Sequence, residues 1–584
     1  MAGRRCSLFS YVVFVALVWV HALSSSCCTS STILTTTTTL VDDVDNDLNF
    51  LQCLTFNSMH YSDHDGNKLI PVFTPNTTSY SSILSSSIRN LIFTSSSTLK
   101  PRFIVAPTQD SHVQVAVICS KKHGLQIRVR SGGHDVEGLS YTSSVPFVLI
   151  DLFNLRAIDV NIEDNNAWVQ AGATLGEVYY SIAEKSHVHG FPSGQSRTIG
   201  VGGHFSVAGV GPMLRKYGSA SDQIIDARLV NANGEVLNRE AMGEDLFWAI
   251  RGGGASSFGV VLAWKINLVA VPPIVTVASI DRAYEQGATE LVHKWQTVAS
   301  RQVPQELYIE LNVGVSNNTS RLAGRRAIEL NFKVMFLGPS KKLMQLMEEK
   351  FPELGIKANE CNEMSWIESV VYFAQFGDKI ERPTDWLLSR DAGDDAAKFK
   401  VKSDFVTEPI SKTRLEEIWR KMLEENEPHL TMWPWGGRMS EIPEGEIACP
   451  HRAENLYMIG YFTFWDEDGD EAQERHFNWV RELYEYMTPY VSKSPRAAFF
   501  AYRDLDIGRN EIINGFMSSA YSGCSSWGLQ YFKSNCEKLM QVKSKFDPHN
   551  FFQDEQTILA EQHICPIEYH TVHRPRDLDA YMVV

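Results

Sequence analysis

Alternating apolar and polar side chains mark the first strands of this chain. Leu125-Gln126-Ile127-Arg128-Val129 repeats with period two, the pattern of a strand with one buried face. Arg102 to Ala106, Phe147 to Asp151 and Ala167 to Ala171 read as further short strands, with helices at Ser111 to Lys122 and Thr174 to Glu184. Strands and helices alternating to about residue 270 predict an α+β or α/β unit. Beyond it, apolar segments such as Tyr308 to Val313 and Ala327 to Phe336 alternate with amphipathic stretches such as Leu415 to Glu425. Aromatics gather at Trp433 to Gly437 and Tyr457 to Trp465, which predicts a second α+β unit whose sheet presents an aromatic face to a ligand. Most of those aromatics are expected to serve the core. The stretch Phe546 to Phe552 reads as the end of a helix followed by a turn.

Length and composition narrow the class. With 584 residues the chain exceeds one ordinary core, and 44% hydrophobic with 21% charged residues describes a globular protein. A net charge of -15 argues against nucleic acid, whose binding needs a basic face. Arg4-Arg5, an apolar run from Leu8 to about Leu23 and then Ser24-Ser25-Ser26 have the layout of a secretory signal peptide, expected over residues 1–26. No later stretch approaches about 18 uninterrupted apolar residues, so no stable membrane span is expected in the mature chain. Residues 27–48 are Ser/Thr-rich and read as an unfolded linker. A bridge between Cys53 and Cys119 would tie the start of the fold to the Ser111 helix, though sequence alone does not pair cysteines. Sequons at Asn76, Asn317 and Asn318 are compatible with glycosylation on the same route.

The candidate chemistry lies in glycine-rich turns. Arg130-Ser131-Gly132-Gly133-His134 follows the first strand, and adjacent glycines let backbone approach a bulky ligand closely while amides point at an anion. A denser stretch runs from Gly194 through Ser196, Thr198, Gly200, Gly202, Gly203 and His204 to Gly211, and a third is Arg251-Gly252-Gly253-Gly254. No G-x-G-x-x-G lies between a strand and a helix, and neither G-x-x-x-x-G-K-[ST] nor G-x-S-x-G occurs. Cys and His spacings form no recognisable zinc site, and His187 and His189 are expected in a strand or turn.

Taken together the motifs resemble the plant berberine bridge enzyme-like proteins, within the vanillyl-alcohol-oxidase class of FAD-linked oxidases. The resemblance covers about residues 49–560. It rests on Arg130 to His134, Gly200 to His204, Arg215-Lys216-Tyr217-Gly218 and Met242 to Gly254, and continues in Thr488 to Val491, Tyr502 to Asp506 and Asn550-Phe551-Phe552. It implies an α+β fold: a two-lobed PCMH-type FAD-binding domain at 49–272, completed by 496–562, and interrupted at 273–495 by a substrate domain with an antiparallel sheet. Residues 563–584 read as a tail. It also implies FAD bonded covalently to His134, with His204 beside the flavin pyrimidine edge, where a donor would stabilise the negative charge of reduced flavin. Arg130, Ser131, Gly132, Gly133, Ser196, Thr198, Gly200, Gly202, Gly203, Asn550 and Phe552 are the remaining cofactor-binding candidates.

Departures from the family pattern bear on the reaction. Ser196 stands where many members carry a cysteine that makes a second flavin bond, so a single tether is expected. Ile199 occupies the position where a larger residue hinders oxygen, which favours another electron acceptor. Val136, Val210, Phe499 and Ala501 replace polar or aromatic residues that often face the substrate, and Phe462 takes the place of the founding enzyme's carboxylate base. Tyr502 is the remaining candidate base, and a phenol with a pKa of about 10 needs a nearby cation for that role. These features predict a monomeric FAD-dependent oxidoreductase of the secretory pathway that takes hydride from an alkaloid or phenolic. The apolar substitutions favour a hydrophobic polycyclic substrate. A non-redox cyclase with structural FAD, working through proximity and orientation, is the alternative, and a flavin-binding protein without substantial activity a weaker third reading.

Overall fold

The computed structural model describes residues 45–59, 69–316, 326–375, 382–391, 396–513, 516–518 and 524–561. The expected signal peptide, Asn317, Asn318 and the expected tail lie outside them. Residues 45–59 are helical, so positions 45–48, expected to close an unfolded linker, instead belong to a helix. That helix buries Phe50, Cys53 and Leu54, and apolar burial outweighs the polar composition that suggested a linker.

Two sheets build the first part of the fold, which is α+β. In one, Phe103–Val105, Phe147–Asp151 and Gln126–Arg130 run parallel, with Val72–Phe73 antiparallel at the edge. Phe147–Asp151 is buried throughout, as its unbroken apolar run requires of a central parallel strand. The other sheet is antiparallel, ordered Ile158–Asn161, Asn166–Gln170, Val260–Asn267, Ile224–Val230, Val236–Leu237. Helix Leu175–Lys185 starts at Thr174, whose hydroxyl and the Glu177 carboxylate satisfy each other's orphan amides in a capping box.

A seven-stranded antiparallel sheet follows, ordered Cys361–Met364, Val275–Ala283, Ala327–Phe336, Leu307–Ser316, Pro428–Pro434, Tyr457–Trp465, Lys398–Val406. Period two divides its residues. Leu307, Ile309, Leu311 and Val313 share a core with Leu415, Ile418 and Trp419 of helix Lys412–Met422 and with Trp479, Val480 and Leu483 of helix Asp470–Met487. Tyr308, Glu310 and Asn312 point to the opposite face. The core of the first two sheets also takes in Phe500, Trp527, Tyr531, Phe532, Leu539, Phe552 and Ile558 from the C-terminal segment.

Disulfides join Cys53 to Cys119 and Cys524 to Cys536. The first is the pair raised by the sequence reading; the second was not singled out. Asn76 is exposed. No described helix is long and apolar enough to cross a membrane.

Arg130 ends its strand wholly buried, ion-paired with Asp151 at 2.5 Å and donating to the carbonyls of Leu84 and Ile83 at 2.6 and 2.7 Å. Removing one partner of such a pair strands a desolvated charge. The Asp151→Ala variant is therefore expected to lose about 3–5 kcal/mol of stability, read as a fall in the urea unfolding midpoint.

Candidate functional site

The turn after Arg130 and the stretch from Gly194 to His204 meet backbone to backbone. A Cβ on Gly132 would collide with the Gly200 amide, and a Cβ on Gly200 with the Gly132 amide, so neither position tolerates a side chain. Gly133 has φ +72°, a left-handed conformation, and its missing Cβ makes room for the Ser87 carbonyl. Ser131 Oγ donates to the Ala171 carbonyl at 2.6 Å and accepts from Gly202 N at 3.3 Å, fastening the two segments. The amides of Gly132, Gly133 and His134 donate to no partner among the described residues. Unsatisfied donors in such a turn form a concavity suited to an anionic group.

These segments line a cavity of about 490 Å³. Ser131 to His134, Ser196, Gly200 and Gly202 to His204 border it together with Ile199 and Phe552. Three other site candidates stand behind the wall. Arg130 spends its guanidinium on Asp151, Thr198 is buried beneath His134, and Asn550 accepts from Ala560 N. Arg130 thus reaches the site through the turn it anchors and not through its own charge. Two wall residues, Arg89 and Gln195, were not anticipated from sequence.

Both histidines at the cavity are held neutral. His134 Nε2 lies 2.8 Å from Thr198 Oγ1. Burial first, then the positive charge of Arg89, holds its pKa down to about 3. Burial alone brings His204 down to about 4. His204 Nε2 accepts from Gly194 N at 3.2 Å, which leaves its proton on Nδ1 as a donor. Ser196 Oγ sits 3.3 Å from Thr198 Oγ1, so the serine belongs to the same cluster as His134.

Opposite the glycine turns stands an aromatic wall. Tyr502 packs against Trp433, Phe462 and Phe499 at centroid distances of 5.6, 5.7 and 5.9 Å, and Phe462 stacks on Phe464 at 6.1 Å. Val136, Val210 and Ala501 also face the cavity. Burial and the negative charge of Glu310 push the Tyr502 phenol above its ordinary range. The cation that would help Tyr502 act as a base is not what acts on it here; its electrostatic neighbour is a carboxylate. Among the described residues no group of His, Cys, Asp and Glu could hold a metal ion, and His189 bonds Ser186 and Asn165.

Comparison with known proteins supplies the family. Residues 101–239 match a family described as FAD binding domain, and residues 498–559 one described as Berberine and berberine like. The chain is 52% identical to a tetrahydroberberine oxidase of Berberis wilsoniae, over 87% of this chain and 93% of that one. It is 48% identical to a monolignol oxidoreductase, AtBBE-like 13 of Arabidopsis thaliana, over 83% and 89%. The solved structure of the grass pollen allergen Phl p 4 superposes with TM-score 0.80 at 40% identity, covering 88% of this chain and 99% of that one. Its wild type is named a glucose dehydrogenase, whereas an isoleucine-to-valine variant is named a glucose oxidase.

His429, on the strand beside the aromatic wall, is brought down to about 4 by burial and by Lys333. Its folded pKa lies below the ordinary value of about 6.5, so the unfolded chain binds more protons between those limits. This contribution to stability is present above pH 6.5 and is lost as pH falls toward 4. The His429→Gln variant is expected to show a shallower fall of urea midpoint over that window than the parent.

Proposed function

Because the chain belongs to the berberine bridge enzyme-like family of FAD-dependent oxidoreductases, we propose that it removes a hydride from a plant alkaloid or phenolic. The observation that carries this reading is the facing of two walls across one cavity: a glycine cradle with a neutral histidine, and a cluster of aromatic rings. The residues present fit FAD. The amides of Gly132, Gly133 and His134, without partners among the described residues, suit a pyrophosphate, and glycines stand where a Cβ would fill the cradle. When bound, FAD supplies the hydride acceptor, while the protein orients and tunes.

His134 is the covalent attachment point in this reading. Its ring stays neutral, held 2.8 Å from Thr198 Oγ1, so a ring nitrogen can serve as the attachment atom. Ser196 offers no thiol for a second bond, so attachment rests on His134 alone. His204 presents its Nδ1 proton to negative charge developing at the cavity wall. Tyr502 meets the substrate as a neutral phenol that donates a hydrogen bond. Phe462, Trp433, Phe499 and Val210 exclude water and favour a hydrophobic polycyclic substrate. Ile199 crowds oxygen at the cavity wall, and the two forms of Phl p 4 offer a precedent for how one methylene changes the electron acceptor. The two disulfides and exposed Asn76 support passage through the secretory pathway, with the chain acting as a monomer.

Three measurements test these assignments. Anaerobic mixing with a panel of alkaloids and phenolics is expected to bleach the oxidised flavin band; product formed with the band intact would mark a cyclase instead. On acid precipitation the flavin should stay with the parent protein and wash free of His134→Ala. Reoxidation by air should quicken about tenfold in Ile199→Val, the effect of roughly 1.4 kcal/mol on a barrier. An unchanged rate in that variant removes the role given to Ile199.

A further inference from the structure

Glu310 belongs to none of the motifs that single out the site, yet it stands behind the aromatic wall. It is 3% exposed. Three neutral groups donate to its carboxylate: Gln195 Nε2 at 2.5 Å, Tyr308 OH at 3.0 Å and Asn312 Nδ2 at 3.1 Å. Lys333 is its cross-strand partner by register, but no ion pair to Glu310 forms among the described residues. Neutral donors offset only part of the cost of taking a carboxylate out of water, and a positive charge nearby would offset far more.

A cation held in the cavity would supply that charge. Gln195, bonded to Glu310, lines the cavity, and the negative field of Glu310 is felt at Tyr502 within the ring cluster. The arrangement differs from the opposite wall, where Arg89 brings positive charge beside His134. Glu310 thus sets a negative charge behind the aromatic rings, while Arg89 lies beside His134.

We propose that Glu310 is a positioning residue for a cationic nitrogen, and that the substrate is a polycyclic amine; this rests on the hydride-transfer reading above. In the oxidation a C–H bond beside nitrogen breaks and its electron pair leaves as hydride to the flavin. The nitrogen lone pair closes a C=N bond, so a neutral amine becomes an iminium cation. A substrate that arrives as ammonium first gives its proton to water. Positive charge therefore grows on the substrate at the moment of transfer, where the field of Glu310 stabilises it. An alcohol oxidised through its alkoxide first loses its hydroxyl proton, and that negative charge forms against the same carboxylate. Tyr502, whose phenol already resists ionisation beside Glu310, does not relieve that charge. One buried carboxylate thus separates amines from alcohols on an aromatic surface that would accept either.

The test compares two probes of one ring system on the full-length holoenzyme, using the shift of the oxidised flavin band on binding. Berberine is a permanent cation, whereas 8-oxoberberine is its uncharged lactam. The parent should bind berberine about tenfold or more tightly than 8-oxoberberine, as an unscreened charge pair at short range allows. In Glu310→Gln the affinity for berberine should fall about tenfold while that for 8-oxoberberine changes less than about twofold. Glu310→Asp should recover part of the preference, and unchanged flavin content in both variants shows that the fold is intact. Equal affinities in the parent, no binding of berberine, or a loss shared by both probes overturns the assignment. Bleaching by the substrate panel is read separately, so failure of Glu310 and failure of hydride transfer are told apart.

Discussion

The close approach of Gly132 to Gly200 is the constraint on which the site depends. Each backbone occupies the space where the other's side chain would lie, so the two segments come together only because both residues lack a Cβ. The contact sets His134 over Thr198, brings Ser196 into the same cluster and leaves a run of amides without partners among the described residues. Beneath it, the buried pair of Arg130 with Asp151 fixes the strand end from which the turn departs. A family of FAD-dependent oxidoreductases needs such a junction, because a large planar cofactor must be met by backbone on one side and substrate on the other.

The antiparallel sheet supplies the other side through the period of two. Its apolar half packs under helices Lys412–Met422 and Asp470–Met487, and its remaining half turns aromatic and polar groups toward the cavity. Along Leu307–Ser316 the same alternation that buries Ile309 and Leu311 holds Glu310 and Asn312 on the opposite face. A one-residue shift of register would exchange the two sets, so the sheet core and the substrate wall are specified together.

Electrostatics then divides the cavity. His134 and His204 are kept neutral by burial, which lets them act as lone-pair and hydrogen-bond groups at neutral pH. At the opposite end burial, with the nearby Glu310 carboxylate adding to it, pushes the Tyr502 phenol above its ordinary range, and Glu310 has no ion-pair partner among the described residues. Apolar replacements such as Phe462 and Val210 remove competing hydrogen bonds from the wall, so few polar groups decide how a substrate lies.

Much of this was legible in the sequence. Local patterns located the strand Phe147–Asp151 at its observed bounds and picked out Ala327–Phe336 as an apolar segment and Tyr457–Trp465 as an aromatic one, because alternation and unbroken apolar runs are properties of the strand itself. Paired glycines with a following histidine marked both cavity turns for the same local reason. The sequence did not reveal that residues 45–59 are helical, because that helix gains its stability from burying Phe50 and Leu54 against distant strands. It likewise pointed to Arg130 as a ligand group, although tertiary structure commits its charge to Asp151. Glu310 was invisible: one carboxylate in an alternating strand carries no sign of what its face will meet. Residues 115 and 192 positions away in sequence, Gln195 and Tyr502, become its neighbours only when the sheet closes over the glycine turns. Sequence determined which segments can form a close backbone cradle, since that is a matter of missing side chains. Tertiary structure alone decided which charges face it, since a field depends on distance through space and not along the chain.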